Sequence, residues 1–296
     1  MIDPRALLTF HRVCEAGTIS GAARALNLSQ PSVSSAIAAL EARLGVRLFE
    51  RSRSGIVLTT EGEALRLRAE ALFHLLRDAE AEVDSARTGI MGPLRVGGTP
   101  GALVSLLPRV LTALDEAGLA LSLNVIERAD AALNAMLLAG DIELAFVTTE
   151  IDEPAEGLIE TTFSRDPFAL IVGPAQDHLP ERMALRDAID LHWVLPEAQG
   201  AFRRQVDALF LASGLPSPRN VVRCDSLLTT KAIVRMGSRV TILPREVASA
   251  ELSVGVLRAI VLDDAGMPRS IGVRRHGGRT LSALARRLLA ELAIDP

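Results

Sequence analysis

The chain has 296 residues, 49% of them hydrophobic, a net charge of −4 and a mean hydropathy of +0.28. That length suggests two domains, or three with a small one at the N-terminus, and the hydrophobic content is too high for a disordered chain. No apolar run reaches membrane-spanning length, the opening MIDPRALLTF lacks a signal-peptide layout, and Cys14 and Cys224 are too far apart in sequence to suggest a disulfide framework; a cytoplasmic protein is expected.

Residues 18 to 45, TISGAARALNLSQPSVSSAIAALEARLG, read as two short amphipathic helices joined by a polar turn. Ala22, Ala23 and Leu26 form the apolar face of the first. Asn27, Leu28 and Ser29 make the turn, with Leu28 expected to pack inward. Ser29 is a good N-cap because its hydroxyl can accept from a free amide of the next helix, and Pro31 suits the first turn, where a missing N–H costs nothing. Val33, Ile37, Leu40 and Leu44 recur at steps of four, three and four, which is one buried helical face. Gln30, Ser32, Ser35 and Ala39 are left on the opposite side. A helix held down by its apolar stripe with small polar groups outward suits a DNA major groove, although any two-helix hairpin can share the spacing.

The next segment, LGVRLFERSRSGIVLTTEGE, places apolar runs at Val46 to Phe49 and Ile56 to Leu58 around an Arg-rich turn. Arg47, Arg51 and Arg53 fall in this ribbon, which would form a wing suited to phosphate contacts. Residues 1 to 60 hold seven arginines against four acids, a net +3, so the remainder carries −7. A cationic head on an acidic body is the pattern of a protein whose head alone meets nucleic acid. The excess is modest, which favours two or more heads acting together.

Residues 7 to 68 resemble the winged helix-turn-helix of the LysR-type transcriptional regulators. The strings that carry the resemblance are LLTFHRVCEAGTISGAARALNLSQPSVSSAIAALEARLGVRLFER and LTTEGE. It implies a double-stranded DNA operator as partner. The contact candidates are Ser29, Gln30, Pro31, Ser32, Ser34 and Ser35 on the helix, with Arg51 and Arg53 of the wing. The family often has a long polar or basic side chain at the position of Ser35, where serine reaches less far.

A long helix is predicted over 60 to 88, with Thr60-Glu61-Gly62-Glu63 as a capping box in which Thr60 is the N-cap and Glu63 reaches back. Leu65, Ala69, Leu72, Leu76, Ala79, Val83 and Ala86 alternate steps of four and three, a narrow seam that suits a partner helix; packing on its own domain is the alternative. The resemblance implies a dimerising linker here, giving a homodimer and, through the C-terminal bodies, a homotetramer. Thr88 to Pro93 breaks the helix.

Beyond Leu94, the runs LRVGG, LSLNVIE, ELAFVTT, FALIVG and HWVLPEA read as strands, separated by helices at 101–117, 130–139, 201–213, 226–236 and 281–293. This alternation predicts a parallel-rich α/β architecture in two halves, with crossings near Ser164–Pro167 and Ala265–Pro268. The layout resembles the periplasmic-binding-protein-like effector domain of the same family. The expected domains are a winged helix-turn-helix at 1–60, a linker helix at 61–89 and an effector domain at 90–296. The last divides into subdomain I, about 93–163 with 269–296, and subdomain II, about 168–264.

Gly97-Gly98-Thr99-Pro100-Gly101 ends the first strand and opens a helix, where free amides favour an anionic group; a Gly-rich turn with a capping Thr99 is the alternative. Arg128, at the end of the second strand, could pair with a carboxylate or be a solvated surface residue. Thr148 and Thr149 end the third strand, and Phe202 near a helix start could wall a pocket or belong to the core. The resemblance implies that Thr99, Arg128, Thr148 and Phe202 line an effector cleft, to which Pro100 and Gly101 belong by position. A small organic acid is the expected ligand.

The histidines His11, His74, His178, His192 and His276 form no HExxH arrangement, and no CxxC, GxSxG or Walker string occurs. Neither a metal, a cofactor nor catalysis is expected. The competing reading is a solute-binding protein or ligand sensor whose N-terminal helices serve oligomerisation.

Overall fold

The computed structural model describes residues 1–52, 55–197, 200–264 and 268–293, which fall into two units, Met1–Gly89 and Ile90–Pro296. Arg53 of the wing and Ala265 to Met267 of the second crossing lie outside the described residues.

In the first unit, α1 (Pro4–Ala16) is capped by Asp3 and α2 (Ile19–Ala25) by Thr18, whose hydroxyl accepts from the amide of Gly21. Ser29 caps α3 (Gln30–Leu44), accepting from the amide of Ser32 at 3.2 Å, and Gly45 ends it in the left-handed region at φ 71°. Strands β1 (Phe49–Ser52) and β2 (Gly55–Leu58) pair antiparallel, with Phe49 opposite Leu58 and Arg51 opposite Ile56. Phe10, Val13, Ala22, Val33, Ile37, Leu40 and Leu48 form the buried core. Leu28, expected to pack inward, is 51% exposed. Asn27 turns the chain through the left-handed region at φ 54°, and Leu26 packs against the core instead.

Helix α4 (Thr60–Thr88) is capped by Thr59, not Thr60. The backbone of Thr59 is still extended, so its hydroxyl can accept from the amide of Gly62 at 3.0 Å while donating to the carbonyl of Arg47. Glu63 does not reach back; it pairs with Arg66 at 2.8 Å. Gly62 is required by close approach, since a Cβ there would collide with the carbonyl oxygen of Leu48. Along the apolar seam, Ala69 is fully buried and Leu65 and Leu72 are half-buried, whereas Leu76, Ala79, Val83 and Ala86 are exposed. Within this unit, the first half of the helix packs on the head and the second half leaves its seam bare.

The second unit opens with β3 (Met91–Gly98), α5 (Pro100–Glu116), β4 (Leu121–Glu127), α6 (Asp130–Ala139), β5 (Leu144–Thr148) and β6 (Leu158–Asp166). Next come β7 (Phe168–Val172), β8 (Arg182–Met183), β9 (Trp193–Leu195), α7 (Ala201–Ala212), β10 (Val221–Arg223), α8 (Leu227–Met236) and β11 (Thr241–Pro244). It ends with α9 (Ser249–Ser253), β12 (Arg258–Leu262), β13 (Arg269–His276) and α10 (Ala283–Glu291). The first sheet has the order β4-β3-β5-β13-β6, with β3 parallel to β4 and β5, and β13 antiparallel to β5 and β6.

The second sheet, β11-β7-β12-β8, departs from the parallel-rich expectation. Its central β7 runs antiparallel to both β11 and β12, although β8 is parallel to β12 and the separate pair β9-β10 is parallel. The chain enters this half along β7 and leaves it along β12, so these neighbours must run in opposite senses. For the same reason β6 and β13, which lead to and from the second sheet, are antiparallel partners with Asp166 opposite Arg269. Separate apolar clusters fill the two halves, one around Leu94, Leu106, Phe146 and Leu288, the other around Leu170, Trp193, Phe210 and Ile242.

Candidate functional site

Two places collect the residues singled out from the sequence. On α3, Val33, Ile37 and Leu40 face the core at 6% exposure or less, and Ser29, Gln30, Pro31, Ser32, Ser34 and Ser35 are all exposed. The hydroxyls of Ser29 and Ser32 share a hydrogen bond at 2.7 Å, which orders the start of the helix. Arg51 sits in β1, and Arg53 lies outside the described residues.

A residue not singled out from the sequence, Glu41, joins this helix to the wing. It is buried, and one carboxylate oxygen accepts from the amides of Leu48 at 2.7 Å and Phe49 at 3.4 Å. The other pairs with exposed Arg47 at 3.2 Å. Its place beside Leu40 on the apolar stripe was the available signal: an acid on a buried helical face needs partners.

In the second unit, a cavity of about 380 Å³ opens where the ends of β3, β4 and β5 face α7, β9 and β11. Thr99, Pro100, Gly101, Arg128, Thr148 and Phe202 all line it. Thr99 occupies the N-cap position of α5 but makes no capping hydrogen bond, and its buried Oγ1 has no hydrogen-bond partner among the described residues. Thr149 is buried, and its hydroxyl is engaged with that of Thr162 at 2.8 Å. Arg128 is exposed and donates to the carbonyl of Glu127 at 2.7 Å. Phe202 stacks near Phe168 at 6.4 Å and packs against both clusters of the second half.

Arg269 is a second residue that sequence patterning does not single out. This side chain lines the cavity although only 2% of the residue is exposed, and its Nε donates to Thr148 Oγ1 at 3.0 Å. Burial pushes its pKa down to about 10, against the opposing pull of Asp166 and Asp130. Burial also pushes Asp166 up to about 6, although its carboxylate accepts from the amide of Glu246 at 3.0 Å. Asp130 is likewise raised by burial, against the pull of Arg274, Arg204 and Arg269. Nothing in the string Pro268-Arg269-Ser270 marks this arginine as buried; its environment comes from strands more than a hundred residues earlier.

Among the described residues, no group of three or more His, Cys, Asp or Glu side chains could hold a metal ion, and no helix is long and apolar enough to cross a membrane.

Comparison with known proteins adds two family matches: bacterial regulatory helix-turn-helix protein, lysR family, over residues 4–63, and LysR substrate binding domain over residues 87–294. A probable hydrogen peroxide-inducible genes activator of Mycobacterium leprae (strain TN) is 30% identical over 246 residues, covering 83% of this chain and 78% of that protein. The crystal structure of CbnR, a LysR family transcriptional regulator, is similar at 26% identity and a TM-score of 0.59, covering 98% of this chain and all of the other. A full-length OxyR variant from Pseudomonas aeruginosa shares the fold at a TM-score of 0.73 and 20% identity, covering 100% and 96% of the two chains.

Proposed function

This chain belongs to the LysR family of DNA-binding transcriptional regulators with an effector-binding domain, and from that premise we propose that it is a ligand-gated operator-binding protein whose effector is a small organic acid. The observation that carries the ligand reading is the cavity itself, where the unpartnered Thr99 hydroxyl and the buried Arg269 guanidinium stand in an otherwise largely apolar lining. Thr99, Pro100, Gly101, Arg128, Thr148 and Phe202 form the contact set.

The head, residues 1–60, reads the operator through Gln30, Ser32, Ser34 and Ser35, with Ser29 and Pro31 shaping the helix start and Arg51 and Arg53 reaching phosphates. The linker, 61–89, pairs two chains through the bare seam at Leu76 and Val83, and two dimers join through their effector domains, 90–296, into a tetramer in the cytoplasm. Within that domain the acid sits between subdomain I, about 93–163 with 269–296, and subdomain II, about 168–264. It shifts the assembly by binding one arrangement better than the other, which changes head spacing and DNA bending.

The test is a nuclease footprint on the DNA flanking the gene, with and without a panel of small carboxylic acids. A protected region whose length or bending pattern changes with one of the acids is expected. Protection indifferent to every acid would remove the ligand part of the reading.

A further inference from the structure

We propose that Arg269 receives the charged end of the effector, and that the effector is a monoanionic carboxylate with an apolar body; this rests on reading the cavity as the effector site. Two buried arginines on β13 differ sharply in their partners. Arg274, 7% exposed, is fully engaged: Nε and Nη2 donate to Glu160 at 3.0 and 2.6 Å, and Nη1 donates to Asn134 at 2.6 Å. Arg269, 2% exposed, has a single hydrogen bond, to the neutral hydroxyl of Thr148, and no ion pair among the described residues. Asp166 and Asp130 lie near enough to pull on this charge, but neither reaches it in an ion pair. A buried guanidinium without a contacting counter-ion is costly, and its planar fork matches a carboxylate.

The surroundings fit an anion delivered from the cavity. Gly101 has no side chain where a Cβ would lie 2.7 Å from Arg269 Nη1, so the guanidinium rests against the first turn of α5, a 17-residue helix. The positive end of that helix and the unpartnered Thr99 hydroxyl lie on the same cavity wall.

The limit to one charge follows from the rest of the lining. Arg203 is committed to Asp207 at 2.7 Å, and Arg128 is exposed. Leu195, Leu227, Leu243 and Val247 supply apolar wall, and Asp130 would repel a second negative group. Arg269 also stands opposite Asp166 on the paired strands that join the two sheets, so a ligand held there acts on the connection between the halves.

The experiment measures saturable thermal stabilisation of the full chain by acetate, hexanoate and benzoate, with hexanamide and benzamide as neutral counterparts. Hexanoate or benzoate should stabilise the protein and the amides should not. Arg269→Met should weaken carboxylate binding by tenfold to a hundredfold, the loss of a charge-assisted hydrogen bond. Arg269→Lys, which keeps the charge without the fork, should retain part of the binding and guards against a failure of the first variant to fold. Arg182→Gln, a surface guanidinium outside the cavity, should match the parent. Without ligand, Arg269→Met should melt no lower than the parent; a purely structural role for Arg269 would lower it. Undiminished carboxylate binding by Arg269→Met, or its loss on Arg128→Ala instead, overturns this proposal and leaves the organic-acid reading standing. Binding of amides as well as acids, or stabilisation by none of the carboxylates, overturns both.

Discussion

Glu41 of α3 accepts a hydrogen bond from the backbone amide of Leu48 at 2.7 Å, tying the helix that carries the exposed serines to the strand that follows. Replacing Glu41 with Ala leaves the buried amide of Leu48, and the half-buried one of Phe49, without this acceptor. The expected loss is about 1–3 kcal/mol in head stability, read as a lower urea midpoint, with weaker operator protection at temperatures where the head is partly unfolded.

The outer face of α3 supports a sharper test, because its side chains are exposed and its buried stripe is separate. Gln30→Ala and Ser34→Glu should leave the circular dichroism unchanged and weaken operator binding, by roughly tenfold or more for each base or phosphate interaction removed. Ser29→Ala acts differently. It removes a cap worth about 1 kcal/mol and should lower thermal stability as well as DNA affinity. Normal footprints from all three proteins would mean that another surface meets the operator.

In the cavity, Thr99→Val keeps the shape and removes the unpartnered hydroxyl. The apo protein should be as stable as the parent or slightly more so, because a buried polar group without a partner is gone. Response to the effector should be lost with operator binding intact, and Arg128→Ala, at an exposed position of the cavity lining, should blunt the response without abolishing carboxylate binding. A full response in both variants would place the effector elsewhere.

Asp166 makes a pH-dependent prediction. Its folded pKa, about 6, lies above the ordinary 3.8, so the folded protein holds a proton that the unfolded chain gives up. Stability therefore falls as pH rises from about 4 to 6, and the cost is fully present above 6. Arg269 from β13 and Glu246 from the turn after β11 are the charged groups that face it, and the backbone amides of Arg245 and Glu246 favour its ionised form. Asp166→Asn should raise stability at pH 8 by on the order of 2 kcal/mol and change little near pH 4, measured by denaturant titration at the two pH values. Destabilisation at pH 8 would mean that the ionised carboxylate is needed to balance Arg269.

The second half of α4 tests assembly. Leu76 is 42% exposed and Val83 72%, on a seam whose first half is already packed on the head. Leu76→Asp with Val83→Asp should halve the assembly in sedimentation or gel filtration, from tetramer to dimers held by their effector domains, without loss of secondary structure. An oligomer unchanged by both substitutions would locate the pairing surface elsewhere.

Much of this chain could be read without coordinates because its information is local. The α3 stripe at Val33, Ile37 and Leu40, its Ser29 cap and the alternation of strands and helices beyond Leu94 each depend on residues within a turn or a strand of one another. Local signals misplaced a few details. The cap of α4 moved from Thr60 to Thr59 because an N-cap is defined by its extended backbone, and either threonine supplies the same hydroxyl. Leu28 turned outward because one left-handed residue, Asn27, reset the direction of the turn. Strand β6 escapes such a reading because LIETTFSRD lacks a continuous apolar run.

What only the tertiary structure decided is the state of its isolated charges. Glu41 is an ordinary helical acid until the strand after it brings two amides to its carboxylate. Arg269 is one arginine among many until β5 supplies Thr148, α5 supplies the open space at Gly101 and β6 sets Asp166 opposite. Periodicity reports which face of an element is buried. Whether a charge on that face has a partner depends on chain segments distant in sequence, and on how much water their packing excludes.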